Sequence, residues 1–211
     1  MKAVLVCNGS INDYTYFKKY ILPSDYIISV DGGAGHLRKM GIKPNVLIGD
    51  FDSANSEDLK YFAECGVEVY KFPIDKDMTD SELAIEKALK MGANELLFIG
   101  ALGSRADHSL ANILLLKKLL DTGVKACIMD EYNQIYMFNT TFTLEKRDGY
   151  KLSLIPISLK VTGVSTNGLK YKLNDATMNL GTSWGVSNEF LEDTATVTIK
   201  EGILLVCMSK D

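Results

Sequence analysis

Over the first two thirds of the chain, short apolar runs alternate with longer stretches of helical spacing. Lys2 to Cys7, Tyr26 to Val30, Val46 to Ile48, Val67 to Phe72, Glu95 to Ile99 and Val124 to Met129 read as strands. Each is a brief apolar or β-branched run closed by a glycine, a proline or a polar turn. Asp13 to Tyr20 and Ser56 to Glu64 read as helices, and Leu37 to Met40 as a helix end stopped by Gly41 and Pro44. Thr79-x-x-Glu82 matches a capping box, so Thr79 is the expected N-cap and Asp80 the first helical residue. Leu83, Ala84, Ala88 and Leu89 carry that helix's buried stripe to a stop at Gly92. A longer helix with Leu110, Ile113, Leu114 and Lys117 along it ends near Gly123. Such alternation predicts an α/β fold, a mostly parallel sheet flanked by helices.

From about Tyr132 the period changes. Ile135 to Asn139, Thr141 to Leu144, Tyr150 to Ile155, Lys160 to Thr166, Leu169 to Leu173, Thr194 to Lys200 and Ile203 to Met208 read as strands, punctuated by glycines. A smaller all-β sandwich or roll is expected there, giving domains over 1–131 and 132–211. So small a β unit buries a modest core, which suggests packing on the first domain or on a second subunit.

The chain has 211 residues, with 23 Lys+Arg against 27 Asp+Glu and a net charge of −4. That balance is not the basic footprint of a nucleic-acid binder. No apolar segment approaches the roughly 18 residues of a membrane span, and Met1 to Cys7 lacks the apolar region of a signal peptide. The four cysteines are widely spaced, with no CxxC pair. They read as buried free thiols in a reducing compartment, so a soluble cytoplasmic protein is expected.

The polar turns carry the chemistry. In Gly49-Asp50-Phe51-Asp52-Ser53, extended backbone would point Asp50 and Asp52 the same way, at the C-terminal edge of the sheet. Two carboxylates that close repel unless a cation or proton lies between them. Mg²⁺ takes oxygen ligands of this kind together with phosphates and water. The other reading is a loop with two solvated aspartates. Asn8-Gly9-Ser10 is a turn whose backbone N–H groups could approach a phosphate. Asp31-Gly32-Gly33-Ala34-Gly35 follows a strand, where ligands collect in open α/β sheets or where a plain turn stands. Its spacing is not the G-x-G-x-x-G of a dinucleotide site.

Asp75-Lys76-Asp77-Met78-Thr79-Asp80 sits before a helix. Asp80 suits the positive end of the helix dipole, and it could also join the acidic pair, with Lys76 reaching a phosphate. Gly100-Ala-Leu-Gly103-Ser-Arg105-Ala-Asp107-His108 is a glycine-rich strand-to-helix loop. Arg105 offers a planar fork of donors to phosphate. It is not a Walker A loop. His108 reads either as a helix-start residue with a local hydrogen bond or as a base. Since all these turns follow strands, Asp31, Asp50, Asp52, Lys76, Asp80, Arg105 and Asp107 should share one edge of the sheet. In the last third, Trp184, the only tryptophan, precedes Ser187 and Asn188. It reads as a core anchor or as an aromatic platform for a flat cationic ligand.

Taken in order, Asp31-Gly-Gly, Gly49-Asp50-Phe-Asp52-Ser53, Asp75-Lys76-Asp77-Met-Thr79-Asp80, Gly100 through His108 and Ser187-Asn188-Glu-Phe190 closely resemble the bacterial thiamine pyrophosphokinases over essentially the full length. The resemblance implies an α/β ATP-binding domain followed by a thiamine-binding β-sandwich, in a homodimer. It implies transfer of the pyrophosphoryl group of ATP to the hydroxyl of thiamine, giving thiamine diphosphate and AMP. Carried onto this sequence, Asp50, Asp52 and Asp80 would hold Mg²⁺ and the ATP phosphates. Asp31, Lys76, Asp77, Thr79, Arg105, Asp107 and His108 would line the nucleotide and phosphate region. Ser187 and Asn188 would help bind thiamine, in a cleft between subunits. Trp184-Gly185 lengthens the run before Ser187, which leaves the role of Trp184 open. Two other functions use the same residues: another nucleotide-dependent transferase, and a sensor that binds thiamine or nucleotide without turnover. The full acidic set argues against the sensor, because binding alone does not need so many converging charges.

Overall fold

The structure, a computed structural model, describes residues 1–52, 54–73 and 77–211. It divides into two compact units, Met1–Glu131 and Tyr132–Asp211.

The first unit follows the alternating pattern: β1 (Lys2–Val6), α1 (Tyr14–Lys18), β2 (Tyr26–Val30), α2 (Gly33–Met40), β3 (Val46–Gly49), α3 (Ser56–Glu64), β4 (Glu68–Lys71), α4 (Asp80–Lys90), β5 (Glu95–Ile99), α5 (Ala106–Asp121) and β6 (Lys125–Met129). The strands lie side by side in the order β4-β3-β2-β1-β5-β6, and each pairing is parallel. β1 and β2 are buried on both faces after their first residue, as a sheet covered by helices requires. Val4, Val6, Ile27, Leu47, Leu97 and Ile99 meet Phe17 of α1, Leu37 and Met40 of α2 and Phe62 of α3 in one core. Burying each such side chain contributes roughly 1.5–3 kcal/mol. The alternate residues face α4, where the Cys7 thiol lies 3.9 Å from Ser81 Oγ. α2 begins at Gly33, four residues before the helical pattern becomes visible in the sequence. Its first turn is largely glycine, which gives no apolar period to read.

The second unit holds β7 (Asn133–Phe138), β8 (Thr141–Glu145), β9 (Lys151–Pro156), β10 (Lys160–Asn167), β11 (Ala176–Asn179), β12 (Thr194–Thr198) and β13 (Leu204–Ser209). An antiparallel ladder β7-β13-β9 and an antiparallel sheet β11-β10-β12-β8 share one core. Phe138, Leu152, Leu154, Leu204 and Val206 come from the first, and Leu144, Val161, Val164, Met178 and Val197 from the second. The expected strand over Leu169–Leu173 is not formed. Leu169 makes a single bridge to Phe190, and the strand lies at Ala176–Asn179. Around 169–173 isolated backbone bonds (Thr166 N–H to Leu173 O, Lys170 N–H to Glu189 O) are joined by side chains: Thr166 Oγ1 accepts from the Leu173 N–H, and Asn188 holds Tyr171.

All four cysteines are free. Cys7 is buried, but Cys65 is exposed at the end of α3, against the expectation of burial. Among the described residues no helix is long and apolar enough to cross a membrane.

Candidate active site

The strand order fixes where a ligand would lie in the first unit. From β1 the chain steps outward through β2, β3 and β4, then returns to place β5 and β6 on β1's other side. The direction of winding thus reverses between β1 and β5. In open parallel sheets the crevice beyond the strand C-termini at such a point is where ligands bind. The turns leaving β1 and β5 are joined there. The Cys7 N–H donates to Ile99 O at 2.8 Å, and the Gly9 N–H to Gly100 O at 2.7 Å. A side chain at position 9 would begin 2.2 Å from Leu102 O, so only glycine allows the two turns this close.

Beside this seam stand the acids. One carboxylate oxygen each from Asp31, Asp50 and Asp52 lies within 4.8 Å of the other two. Asp31 and Asp50 are half-buried and Asp52 is exposed. The three converge, but not by strand alternation, because β3 ends at Gly49. Asp50 Oδ1 accepts from the Asp52 N–H at 3.0 Å, an Asx turn that folds the second carboxylate back toward the first. Between them Phe51 takes φ +63°, and Asp31 takes φ +49°. Left-handed backbone is costly for residues with a side chain and collects at functional sites. The partly buried Phe51 ring packs against the core, which helps hold the turn in place. Three carboxylates so close are the donor set of a hard divalent cation, so these residues fit Mg²⁺.

Asp80 is not one of this trio. It opens α4, half-buried, and its neighbour Ser81 reaches Cys7 at the end of β1. Thr79 caps the helix as expected, its Oγ1 accepting from the Glu82 N–H at 3.3 Å. The Glu82 carboxylate pairs with Lys118 of α5, 3.2 Å away. Asp77 is exposed just before the cap. Lys76 lies outside the described residues, as do Ser53, Ile74 and Asp75.

On the β5 side, Arg105 grips Asp107 through Nε at 3.2 Å and Nη2 at 2.6 Å. Both side chains are exposed. The bonds from Arg105 and from the His108 N–H hold the Asp107 carboxyl down at about 2, so it stays charged. His108 is exposed at the start of α5. Two residues that the sequence reading passed over brace this loop. Asn112 Nδ2 donates to Ala101 O at 2.8 Å, and Ser109 Oγ accepts from the Gly103 N–H at 3.1 Å. A polar amide facing inward from an apolar helix was the available signal. Cys7 belongs to the packing. Burial pushes its thiol up to about 12, with Ser81 opposing that shift and Asp31 adding to it.

In the second unit Ser187 is exposed and takes φ +63°, its N–H donating to Ser153 Oγ at 3.0 Å. Asn188 is buried and turns its amide inward. Its Oδ1 accepts from the N–H groups of Tyr171 (3.0 Å) and Glu189 (2.9 Å), and its Nδ2 donates to Tyr171 O at 2.8 Å. Trp184 is not a core anchor, being 50% exposed. With Leu154, Tyr171, Leu173, Val186 and Asn188 it lines a small cavity of about 100 Å³.

A family model described as thiamin pyrophosphokinase, catalytic domain, matches residues 17–128. A second, described as thiamin pyrophosphokinase, vitamin B1 binding domain, matches residues 139–204. The thiamine pyrophosphokinase of Bacillus subtilis is 33% identical over 186 residues, which cover 87% of either chain. The crystal structure of thiamine pyrophosphokinase from Bacillus subtilis superposes with a TM-score of 0.92 at 31% identity, covering 100% of both chains. That of the thiamin pyrophosphokinase from Geobacillus thermodenitrificans gives 0.89 at 29% identity, covering 100% of this chain and 98% of the other. With both units matched in order and a relative aligned over most of its length, the chain belongs to the thiamine pyrophosphokinase family.

Proposed function

We propose that this protein is a magnesium-dependent thiamine pyrophosphokinase, moving the pyrophosphoryl group of ATP to the hydroxyl of thiamine and releasing AMP. The observation that carries the reading is the Asp31–Asp50–Asp52 group beside the β1/β5 seam, in a chain of this family. Phosphoryl transfer needs positioning and charge neutralisation more than a protein nucleophile. Asp31, Asp50 and Asp52 would hold Mg²⁺. Once bound, the ion supplies positive charge against the phosphate oxygens.

The chain's own groups do the rest. The seam turns limit how deep a nucleotide can sit. Arg105, aligned by Asp107, presents its guanidinium at the start of α5, where a phosphate is also favoured by the helix end. Asp77, Thr79 and His108 flank the same region, and Lys76 remains a phosphate-binding candidate. Asp80, at the head of α4, adds negative charge facing the cationic thiamine. Ser187 and the half-exposed Trp184 are the groups we assign to thiamine. Asn188 supports them by fixing Tyr171. A cytoplasmic homodimer with the thiamine site between subunits completes the reading.

The test is a product assay. The purified chain is incubated with ATP, Mg²⁺ and thiamine, and the nucleotides are separated by chromatography. AMP formed one-for-one with thiamine diphosphate, and only with the metal, is the expected result. ADP in place of AMP moves the attack to the γ-phosphate and makes the protein a different transferase. Binding without turnover makes it a sensor. Sedimentation at several concentrations tests the dimer, with a single monomer species overturning it.

A further inference from the structure

His36 lies one helical turn into α2 and has no part in the chemistry above. The residue is half-buried, and its ring is bonded at both nitrogens. Nε2 stands 2.8 Å from Gly9 O, and Nδ1 stands 3.0 Å from the Tyr14 hydroxyl. A carbonyl oxygen can only accept, so Nε2 must carry the proton. Nδ1 then accepts from the Tyr14 O–H. Gly9 is thus held on both sides of its Cα: its N–H by Gly100 O, and its carbonyl by His36. Just beyond, Glu131 Oε1 accepts from the N–H groups of Asn12 at 2.6 Å and Asp13 at 3.0 Å. These bonds fasten the chain within and just beyond the Asn8–Ser10 turn.

We propose that His36 is a positioning residue for the nucleotide, holding the Asn8–Ser10 turn against the β5 turn so that the crevice at the β1/β5 seam keeps its width. The proposal rests on the reading of that crevice as the ATP site. Burial pulls the imidazole's pKa below its ordinary value, with Lys39 acting the same way and the Gly9 carbonyl and Glu131 opposing. The ring is therefore neutral near pH 7, as one donor and one acceptor require. Tyr14 on α1, Lys39 on α2 itself, and Glu131 after β6 are the titratable groups that act on it.

The experiment compares the full chain with His36→Leu and His36→Gln. ATP binding is measured by calorimetry with Mg²⁺, and KM is measured for ATP and for thiamine. Leucine removes both bonds, while a glutamine amide can still donate to Gly9 O. Losing both part-buried bonds should weaken ATP binding about tenfold in His36→Leu and raise the KM for ATP alike, with the KM for thiamine unchanged. His36→Gln should recover most of the loss. ATP affinity in His36→Leu equal to that of the parent, or an equal rise in both KM values, overturns the proposal.

Two further readouts hold even if His36→Leu does not fold. The ¹⁵N resonances of the parent's ring should report the Nε2–H tautomer, and the Nδ1–H tautomer overturns the assignment. Tyr14→Phe, which removes the hydroxyl donor at Nδ1 while Gly9 O still holds Nε2, should weaken ATP binding by a smaller factor, and no change at all counts against a part for the Tyr14 bond in holding the ring. A parent chain that binds ATP but releases no AMP would sink the pyrophosphokinase reading alone, and the affinity comparison would still decide the role of His36.

Discussion

Asp31 and Gly49 stand against each other at the ends of neighbouring parallel strands. A Cβ built on Gly49 would lie 3.0 Å from Asp31 Cα, while the Asp31 N–H donates to Ile48 O at 2.8 Å. The contact is backbone on backbone, so relief must come from moving Asp31 or β3. Gly49→Ala should therefore displace the carboxylate and leave most of the fold in place. We expect the Mg²⁺ concentration for half-maximal turnover to rise about tenfold, since geometry at a metal site is exacting. A metal titration of the variant checks this, and an unchanged requirement would separate Asp31 from the metal.

Asp52 is the most exposed of the acidic trio, so its replacement disturbs packing least. Without metal the three carboxylates repel. Asp52→Asn removes one of those charges and should raise the melting temperature in EDTA by about a degree or more. The same variant should lose most of the stabilisation that Mg²⁺ gives the parent. Thermal melts with and without Mg²⁺ test both halves. Equal metal stabilisation in the two proteins would exclude Asp52 as a ligand.

Asp80 opens a capped helix, and an asparagine there keeps the size while removing the charge. Asp80→Asn should cost at least about a hundredfold in turnover while leaving the circular dichroism spectrum unchanged. Turnover within a fewfold of the parent at saturating Mg²⁺ would remove Asp80 from the machinery.

His36 also makes stability depend on pH. Its folded pKa lies below the ordinary 6.5, chiefly because the half-buried ring is partly desolvated. Between the two values the unfolded chain binds a proton that the folded chain refuses. Its contribution is thus fully present above about pH 6.5 and declines as pH falls toward the folded value. Urea midpoints at about pH 7.5 and about pH 5.5 should differ more in the parent than in His36→Gln, which cannot titrate. Equal slopes would show that another group governs this window.

The thiols should separate by access. Cys7 is buried and pushed up to about 12, and Cys207 is raised by burial to about 11. Cys65 is exposed. Brief alkylation near pH 8 should therefore label Cys65 first, and labelling at all four should follow only on unfolding. Mass spectrometry of the peptides reads the order, and early label at Cys7 would mean that the end of β1 opens readily.

The layout was legible wherever period and punctuation agreed. The six parallel strands, the capped start of α4 and the shift to antiparallel strands near Tyr132 all follow from residue patterns, because burial imposes those patterns directly. Asp50 and Asp52 were recognisable as a pair, but the way they meet was not. A left-handed Phe51 leaves no trace in apolar spacing. The strand at Ala176–Asn179 escaped because side chains of Thr166 and Asn188 hold the neighbouring stretch that looked more strand-like. The sequence leaves Trp184 open between core anchor and platform, since aromatic size does not tell one from the other; its 50% exposure removes the anchor. The seam between β1 and β5 was invisible for another reason. Strand order is a long-range property, and Gly9 gains its meaning only once Gly100 lies beside it.

That seam has a consequence for the chain as it leaves the ribosome. β1 is made first, yet one of its edges stays bare until β5 has been synthesised. β1 to β4 can assemble meanwhile, leaving an apolar, unsatisfied strand edge open to any other strand nearby. The closure that ends this exposure also builds the crevice. With the crevice read as the proposed nucleotide site, a nascent chain would gain that site only once the hazard has passed, and variants that slow the docking of β5 should be lost to aggregation in the cell before any defect in catalysis can be seen.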